Sequence, residues 1–175
     1  MINNKKTSLL ILSGSSNSGK TNTLKLLISN IINHYGLDIN QYRSTTDYYI
    51  AKSWMKNPYQ QMIQDNSDWM VFLSGVNGKS IAISTAGDTK IHVEESLSYI
   101  GQYDIIICAT KAIKHTDSGS IATMQNYLRK NDELRIYPFY KLIYGSKQDS
   151  EKVKDDNQVL QSMFYLLENI IKSGL

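Results

Sequence analysis

The stretch Gly14-Ser15-Ser16-Asn17-Ser18-Gly19-Lys20-Thr21 decides how the chain folds, because this glycine-rich turn separates two apolar segments of different period. Before it, residues 9–12 are all apolar, which is typical of a strand buried on both faces of a parallel sheet. After it, apolar residues recur at helical spacing until Gly36, a typical helix stop. These residues are Leu24, Leu27, Ile28, Ile31 and Ile32. The stretch therefore predicts a strand, a tight loop and a helix in direct succession.

Each residue type in this glycine loop (residues 14–21) suits the binding of a phosphate chain. Glycine at position 14 lets the chain leave the strand through a turn that a Cβ would hinder. The N–H groups that follow would converge on one anion, and the helix would add the partial positive charge of its N-terminus. The Lys20 ammonium would reach the β- and γ-phosphates, and the Thr21 hydroxyl would bind Mg²⁺. The predicted phosphate-binding residues are Gly14, Ser15, Ser16, Asn17, Ser18, Gly19, Lys20, Thr21 and Asn22.

The glycine loop matches the pattern G-x-x-x-x-G-K-[ST] at every fixed position. Through this Walker A motif, with its strand and helix, the chain resembles P-loop NTPases. The resemblance implies a P-loop fold that binds ATP or GTP, with Mg²⁺, at the carboxyl ends of the strands. It also implies a catalytic role for Lys20, which would stabilise the charge of the transferring phosphoryl group.

P-loop NTPases usually have an acidic residue at a strand end that holds Mg²⁺ or its water, and two aspartates are candidates. Asp88 follows an apolar strand, whereas Asp104 precedes one and should lie at the opposite edge of a parallel sheet. We therefore predict Asp88 as a catalytic residue and, with Thr21, as a metal ligand. The alternative for Asp88 is the N-cap of the following helix. The hydroxyls of Ser84 and Thr85 belong to the same strand end.

The rest of the chain alternates strand and helix patterns. Two strand patterns flank the dipeptide Asn77-Gly78, a strong signal for a tight turn, and predict a hairpin over about residues 69–85. Another buried strand follows, then a strand in which Pro138 indicates an edge, a bulge or a strand start, then an amphipathic helix. We predict an α/β fold: a single domain over residues 1–175, with a mostly parallel sheet and helices on both faces.

The first functional interpretation is a small Mg²⁺-dependent, kinase-like phosphotransferase or an ATPase. Residues 37–64 are polar and aromatic, with a predicted helix near their end. They would hold a small-molecule phosphoryl acceptor, with Arg43 as an anion contact. Lys111, Lys114 and His115 lie in a loop after a strand, which would close over the phosphates as a lid. The alternative is ordinary packing for the tyrosines and a solvated loop for the basic residues.

A GTPase-like switch is the second interpretation. Residues 77–87 resemble the hairpin of Ras-like GTPases that ends in D-T-A-G, and residues 141–149 resemble the guanine-reading N-K-x-D segment with its strand. Ser84 stands where that family has aspartate, and Ser146 stands where it has asparagine, so guanine specificity stays open. A third interpretation is a nucleotide-dependent binding or regulatory protein with little turnover.

Composition narrows the classes of partner. The 175 residues are 41% hydrophobic and 20% charged, which is ordinary for a globular domain. The net charge of +3 is too small to make a nucleic acid the expected partner. Cys108 is the single cysteine, and the apolar run near the N-terminus is shorter than a signal peptide or a membrane span requires. We expect a cytoplasmic protein whose partner is a nucleotide and not a membrane.

Overall fold

The computed structural model describes residues 6–15, 18–37, 41–44, 68–87, 89–111, 126–128, 134–141 and 149–173. Six strands lie within these residues: β1 (Ser8–Gly14), β2 (Gln41–Ser44), β3 (Trp69–Val76), β4 (Lys79–Ser84), β5 (Ile105–Lys111) and β6 (Arg135–Lys141). The helices of eight or more residues in the same described ranges are α1 (Lys20–Tyr35), α2 (Lys90–Leu97) and α3 (Asp149–Ser173). The predicted helix near the end of residues 37–64 lies outside the described residues.

The six strands form one sheet in the order β2-β3-β4-β5-β1-β6. Four neighbouring strands, β4, β5, β1 and β6, run parallel, whereas β3 runs antiparallel to both β2 and β4. Parallel neighbours require crossover connections, and a helix in the crossover packs onto the sheet. The predicted α/β class with a mostly parallel sheet is therefore confirmed. Strand β5 lies between β1 and β4. The strand that leads into the glycine loop is therefore not adjacent to the hairpin strand β4.

Strand β1, which lies between β5 and β6, is buried along its whole length and contributes side chains to two apolar clusters. Leu10 and Leu12 belong to an apolar cluster that includes residues of α1 and α3. Leu9 and Ile11 belong to a second cluster, which includes Val93 of α2. Successive side chains of a strand point to opposite faces, so a fully apolar strand needs cover on both of them. The prediction of helices on both faces is confirmed.

The predicted hairpin is present as β3 and β4. Its turn residues Asn77 and Gly78 have φ angles of 51° and 81°, and the Asn-Gly pair is favoured where both central residues of a tight turn need positive φ. The turn has a consequence for direction. Because β3 runs against the parallel strands, its first residue lies at the edge of the sheet where β1, β4 and β5 end.

The remaining elements cover the sheet and close one of its sides. Among the described strands β6 is the last in the sheet order, so it takes the edge position that is one of those predicted from Pro138, where a residue without an N–H group is tolerated. Helix α3 buries one apolar face, as its spacing predicts; its buried residues are Leu160, Met163, Leu167, Ile170 and Ile171. No helix among the described residues is both long and apolar enough to cross a membrane.

Cys108 lies in β5 and is fully buried in the second cluster. Burial raises the pKa of its thiol to about 12, because an apolar surrounding disfavours the thiolate. At neutral pH the side chain is therefore a small, protonated hydrophobic group. Burial and the raised pKa both disfavour a reactive role, which needs the thiolate.

Gly87 lies where the chain leaves β4 and passes against the backbone of β5. A Cβ at this position would overlap main-chain atoms of Ala109 and Thr110. We expect Gly87→Ala to lower the free energy of unfolding by about 2 kcal/mol, because main-chain atoms yield less easily than a flexible side chain. Gly75→Ala is the control: its φ is 75° but nothing lies within 4 Å, so it should cost about 1 kcal/mol. Urea denaturation measures both losses, and a smaller loss for Gly87→Ala would contradict the close approach.

Candidate functional site

The glycine loop connects the carboxyl end of β1 to the first turn of α1. Gly19 has left-handed backbone angles, φ 77° and ψ 19°, and caps the helix that begins at Lys20. Glycine has no side chain that could bond to the first helical amides, and the first turn holds no acidic residue. The positive end of α1 is thus available to an anion. Ser16 and Asn17, two of the predicted phosphate-binding residues, lie outside the described residues, and Asn22 is exposed in the first turn.

Lys20 is buried and its ammonium folds back onto the glycine loop. Its Nζ donates hydrogen bonds to the carbonyl oxygens of Gly14 at 3.2 Å and of Ser15 at 2.7 Å. The buried Ser18 hydroxyl makes no hydrogen bond within the described part of the chain. The Gly14 and Ser15 carbonyls are uncharged, and a phosphate oxygen would accept from the same ammonium more strongly. The loop therefore holds a cation and a hydroxyl that suit an anionic ligand.

Three oxygen-bearing side chains meet at the start of α1, and we call Thr21, Asp68 and Thr85 the oxygen cluster. Asp68 Oδ1 accepts hydrogen bonds from Thr21 Oγ1 at 2.9 Å and from Thr85 Oγ1 at 3.2 Å. Thr85 Oγ1 in turn accepts from the Trp69 N–H at 2.7 Å, which orients the threonine. The cluster places one carboxylate against the hydroxyl that the sequence predicts as a metal ligand.

Asp68 is a residue that sequence reasoning missed. The expected carboxylate follows a parallel strand, whereas Asp68 precedes the antiparallel strand β3. The signal that would have found it is the Asn77-Gly78 turn, which reverses β3 and brings its beginning to the edge where the parallel strands end. Such an edge is where open α/β sheets bind ligands.

Asp88, the predicted acidic partner of Thr21, lies outside the described residues, so its metal role stays a prediction. The alternative role, the N-cap of α2, belongs to Thr89, whose Oγ1 accepts from the His92 N–H at 3.4 Å. Asp104 lies at the opposite edge of the sheet, as predicted. Its Oδ2 accepts from the N–H and the hydroxyl of Ser80 at 2.7 and 2.8 Å.

The predicted lid and acceptor residues fall only partly within the described residues. Lys111 is the last residue of β5, so it lies at the same sheet edge as the glycine loop. The backbone of Arg43 lies in β2, near the end of that strand and at the same edge, and its side chain is outside the description. Lys114 and His115 lie outside it entirely. The lid therefore stays a prediction.

The residues of the GTPase-like interpretation have other contacts. The Ser84 hydroxyl donates to the Ala86 carbonyl at 3.2 Å, within its own turn. Asp149 is the first residue of α3, and residues 142–148 before it lie outside the described residues. Within the described residues, Asp68 is the carboxylate that Thr21 contacts. The hairpin therefore supplies a carboxylate to the site from the residue that precedes β3, and not from the end of β4.

A buried lysine that the sequence analysis did not select lies against the glycine loop. Lys141 ends β6 in register with Gly14 of β1, and its side chain is 3% exposed. Its strand alternates Tyr137, Phe139 and Lys141 on the buried side with exposed residues between them. A lysine at the apolar phase of an alternating strand was the available signal, because a cation at such a position needs specific partners.

The oxygen cluster fits a magnesium ion in the company of phosphates. Mg²⁺ prefers hard oxygen ligands and in nucleotide sites takes one or two carboxylates, phosphate oxygens and waters. Thr21 and Asp68 supply a hydroxyl and a carboxylate of this kind. No group of three histidine, cysteine or acidic side chains that could hold a metal occurs among the described residues. The chain would therefore supply part of the coordination shell, and a bound phosphate chain would supply more of it.

Comparisons with protein-family models, with curated proteins and with solved structures found no match to this chain.

Proposed function

We propose that this chain is a P-loop protein that binds a nucleoside triphosphate with Mg²⁺ and acts as a small kinase-like phosphotransferase or an ATPase. One observation carries the proposal. At the carboxyl edge of the parallel strands, a glycine loop presents the start of a helix, the Lys20 ammonium and a hydroxyl–carboxylate pair, Thr21 and Asp68, 2.9 Å apart. Each of these groups complements one part of a magnesium–triphosphate.

The loop supports phosphate binding through its backbone and through Lys20. The amides at the start of α1 carry partial positive charge, and Lys20 adds a full charge. In the structure Lys20 bonds to the Gly14 and Ser15 carbonyls, and on ligand binding it would exchange these for phosphate oxygens. The ammonium is charged in both sets of bonds, but a phosphate oxygen carries a negative charge that a carbonyl lacks, so the exchange would favour the bound state.

The oxygen cluster supports a metal role. A magnesium ion held here would supply positive charge that offsets the negative charge of the phosphates. Thr21 and Asp68 would hold it, and Thr85 would keep the Asp68 carboxylate oriented through its 3.2 Å hydrogen bond. Lys20 would stabilise the negative charge that develops on the phosphates. Such catalysis needs positioning and electrostatics, with no covalent bond to the protein.

The acceptor remains the difference between a kinase and an ATPase. A kinase would use residues 37–64 for the acceptor and the loop after β5, with Lys111, as a lid; both belong to the proposal. The ATPase would use water in place of the acceptor. A GTPase-like switch and a nucleotide-dependent regulator share the same phosphate site, and they are therefore separated by base preference and turnover.

A thermal-shift panel tests nucleotide binding first. ATP, GTP, the other ribonucleoside triphosphates and ADP are compared, each with Mg²⁺ and with EDTA. A ligand that binds only the folded state raises the melting temperature. At 100 times its Kd, such a ligand adds about 2.7 kcal/mol to the free energy of unfolding. We expect a shift with triphosphates that is larger with Mg²⁺. The absence of any shift at millimolar concentrations would reject the proposed function.

Turnover assays then assign the class. Phosphate release from the preferred nucleotide without an acceptor indicates an NTPase, and transfer of labelled γ-phosphate to a nucleoside, nucleotide or sugar indicates a kinase. Release with GTP alone indicates the GTPase-like switch. Tight binding with neither reaction indicates the regulatory interpretation and rejects the enzymatic one.

A further inference from the structure

The buried ammonium of Lys141 joins the glycine loop to the C-terminal helix. Its Nζ donates to the Gly19 carbonyl at 3.0 Å and to Thr23 Oγ1 at 2.7 Å, and it forms an ion pair with Asp156 Oδ1 of α3 at 2.9 Å. An ammonium has three N–H donors and no acceptor. The three oxygen partners therefore match its full hydrogen-bonding capacity.

The network closes on a single peptide group of the loop. The Gly19 carbonyl accepts from Lys141, from the Thr23 hydroxyl at 3.2 Å and from the Thr23 N–H at 3.0 Å. The last of these is the first hydrogen bond of α1. The orientation of the Gly19 carbonyl sets the plane of its peptide with Lys20. Lys141 thereby acts on the amide that opens the helix.

Both glycines of the motif make room for this lysine. A Cβ on Gly19 would lie 2.8 Å from Lys141 Nζ, and a Cβ on Gly14 would lie 3.3 Å from Lys141 Cβ. The lysine stem thus runs beside Gly14 while its head reaches Gly19. The left-handed φ of 77° at Gly19 also favours glycine. The loop and Lys141 are therefore packed as one unit.

Charge explains why Asp156 belongs to the unit. A buried ammonium is costly unless it is paired, and neutral partners alone replace its hydration incompletely. The Asp156 side chain is 42% exposed, whereas that of Lys141 is 3% exposed. The carboxylate therefore reaches from the solvent side of α3 and neutralises a charge beneath the loop. Any movement of α3 at this point would change the distance between Asp156 and the Lys141 ammonium.

We propose that Lys141 and Asp156 are positioning residues that hold the Gly19 peptide in the orientation in which the loop receives phosphate, and that they couple the loop to α3. Neither residue touches the ligand in this proposal; they act through Gly19. The phosphate-binding part rests on the proposed function. The anchoring part concerns the loop itself and is measured in the protein without nucleotide.

The test compares substitutions in the pair with matched controls. Lys141→Met keeps the length of the side chain without its charge, and Asp156→Asn keeps the shape of the carboxylate. The controls are Lys172→Met, at the exposed end of α3, and Glu94→Gln, in an exposed pair of α2. Hydrogen exchange of a peptide covering residues 14–23 is measured without nucleotide, and Kd for ATP–Mg²⁺ is measured by calorimetry at a temperature where circular dichroism shows every protein folded.

We expect Lys141→Met to speed exchange in this peptide about 10-fold and to raise the Kd for ATP–Mg²⁺ about 10-fold. Asp156→Asn should produce about a 3-fold change in both, and Asp156→Glu should restore most of it. The double variant should show nearly the same exchange rate and the same Kd as Lys141→Met alone, because both residues act through one contact. The two controls should change neither measurement.

Several outcomes would overturn the inference. A lower melting temperature with unchanged loop exchange and unchanged Kd would make Lys141 and Asp156 a merely structural pair. If Lys141→Met does not fold, Asp156→Asn decides, and wild-type values for that variant reject the proposal. A wild-type chain that binds no triphosphate rejects the proposed function and the phosphate part of this inference. Loop exchange without nucleotide then still confirms or rejects the anchor.

Discussion

Lys20→Ala should abolish the thermal stabilisation by ATP–Mg²⁺ and raise its Kd by about 1,000-fold. The ammonium now donates to the Gly14 and Ser15 carbonyls, and in the proposed complex it would donate to phosphate oxygens. A hydrogen bond to a charged group contributes about 1.5–3 kcal/mol, so the loss of two amounts to roughly 4 kcal/mol, or about 1,000-fold in Kd. Calorimetry and thermal shifts, at nucleotide concentrations that saturate the wild type, measure the change.

The same substitution should leave the fold intact. Without nucleotide Lys20 donates to the uncharged Gly14 and Ser15 carbonyls, so we expect its removal to cost about 1 kcal/mol of unfolding free energy. Lys90→Ala is the matched control, because Lys90 is exposed and forms a surface pair with Glu94; it should change neither Kd nor stability measurably. Normal nucleotide stabilisation of Lys20→Ala would show that the glycine loop is not the phosphate site.

Asp68→Asn should lower Mg²⁺-dependent turnover by about 100-fold at a fixed magnesium concentration. Asparagine keeps the oxygen that accepts from Thr21 and Thr85, so the fold should be retained while the charge is lost. When magnesium is removed, Asp68→Asn and Lys20→Ala should change the affinity for ATP in opposite directions. In EDTA the asparagine variant should bind ATP slightly more tightly, because a carboxylate that repels the phosphates is gone.

A double-mutant cycle with Thr21→Val tests whether Asp68 and Thr21 hold one ion. Valine removes the hydroxyl and keeps the shape of the side chain. The two substitutions together should lower Mg²⁺-dependent turnover little more than either one alone. Titration of turnover with Mg²⁺ supplies the measurement. Asp88→Asn is run in parallel, since Asp88 is the residue that the sequence predicts. An unchanged magnesium response in Asp68→Asn, together with a weakened one in Asp88→Asn, would assign the ion to Asp88.

The sequence predicts well wherever one local pattern decides the structure. The apolar run of β1 and the 3.6-residue period of α1 and α3 each fix an element, because burial of an apolar face depends on spacing alone. The Asn77-Gly78 turn fixes the hairpin through its positive φ angles. The glycine loop joins β1 to α1 through the positive φ angle of Gly19.

The sequence points to residues of the candidate site only where that site is continuous in sequence. Thr21 and Lys20 come from the loop itself, but Asp68 stands 47 residues away and Lys141 stands 118 residues from Thr23. No spacing rule connects such residues. Their meeting depends on the strand order, which puts β6 beside β1, and on the reversal of β3. These are properties of the whole sheet.

The amino-acid sequence by itself therefore determined the class of fold, the hairpin and the loop with its lysine and threonine. Each is a local matter of backbone freedom, hydrophobic period and helix polarity. Only the tertiary structure decided which carboxylate faces Thr21 and which cation lies beneath Gly19. Both partners are brought in by strands distant in sequence, and a strand contributes to an edge according to its direction and its neighbours. Pairing and direction come from the packing of the entire sheet, because each strand must satisfy its backbone hydrogen bonds with whichever neighbour the topology provides.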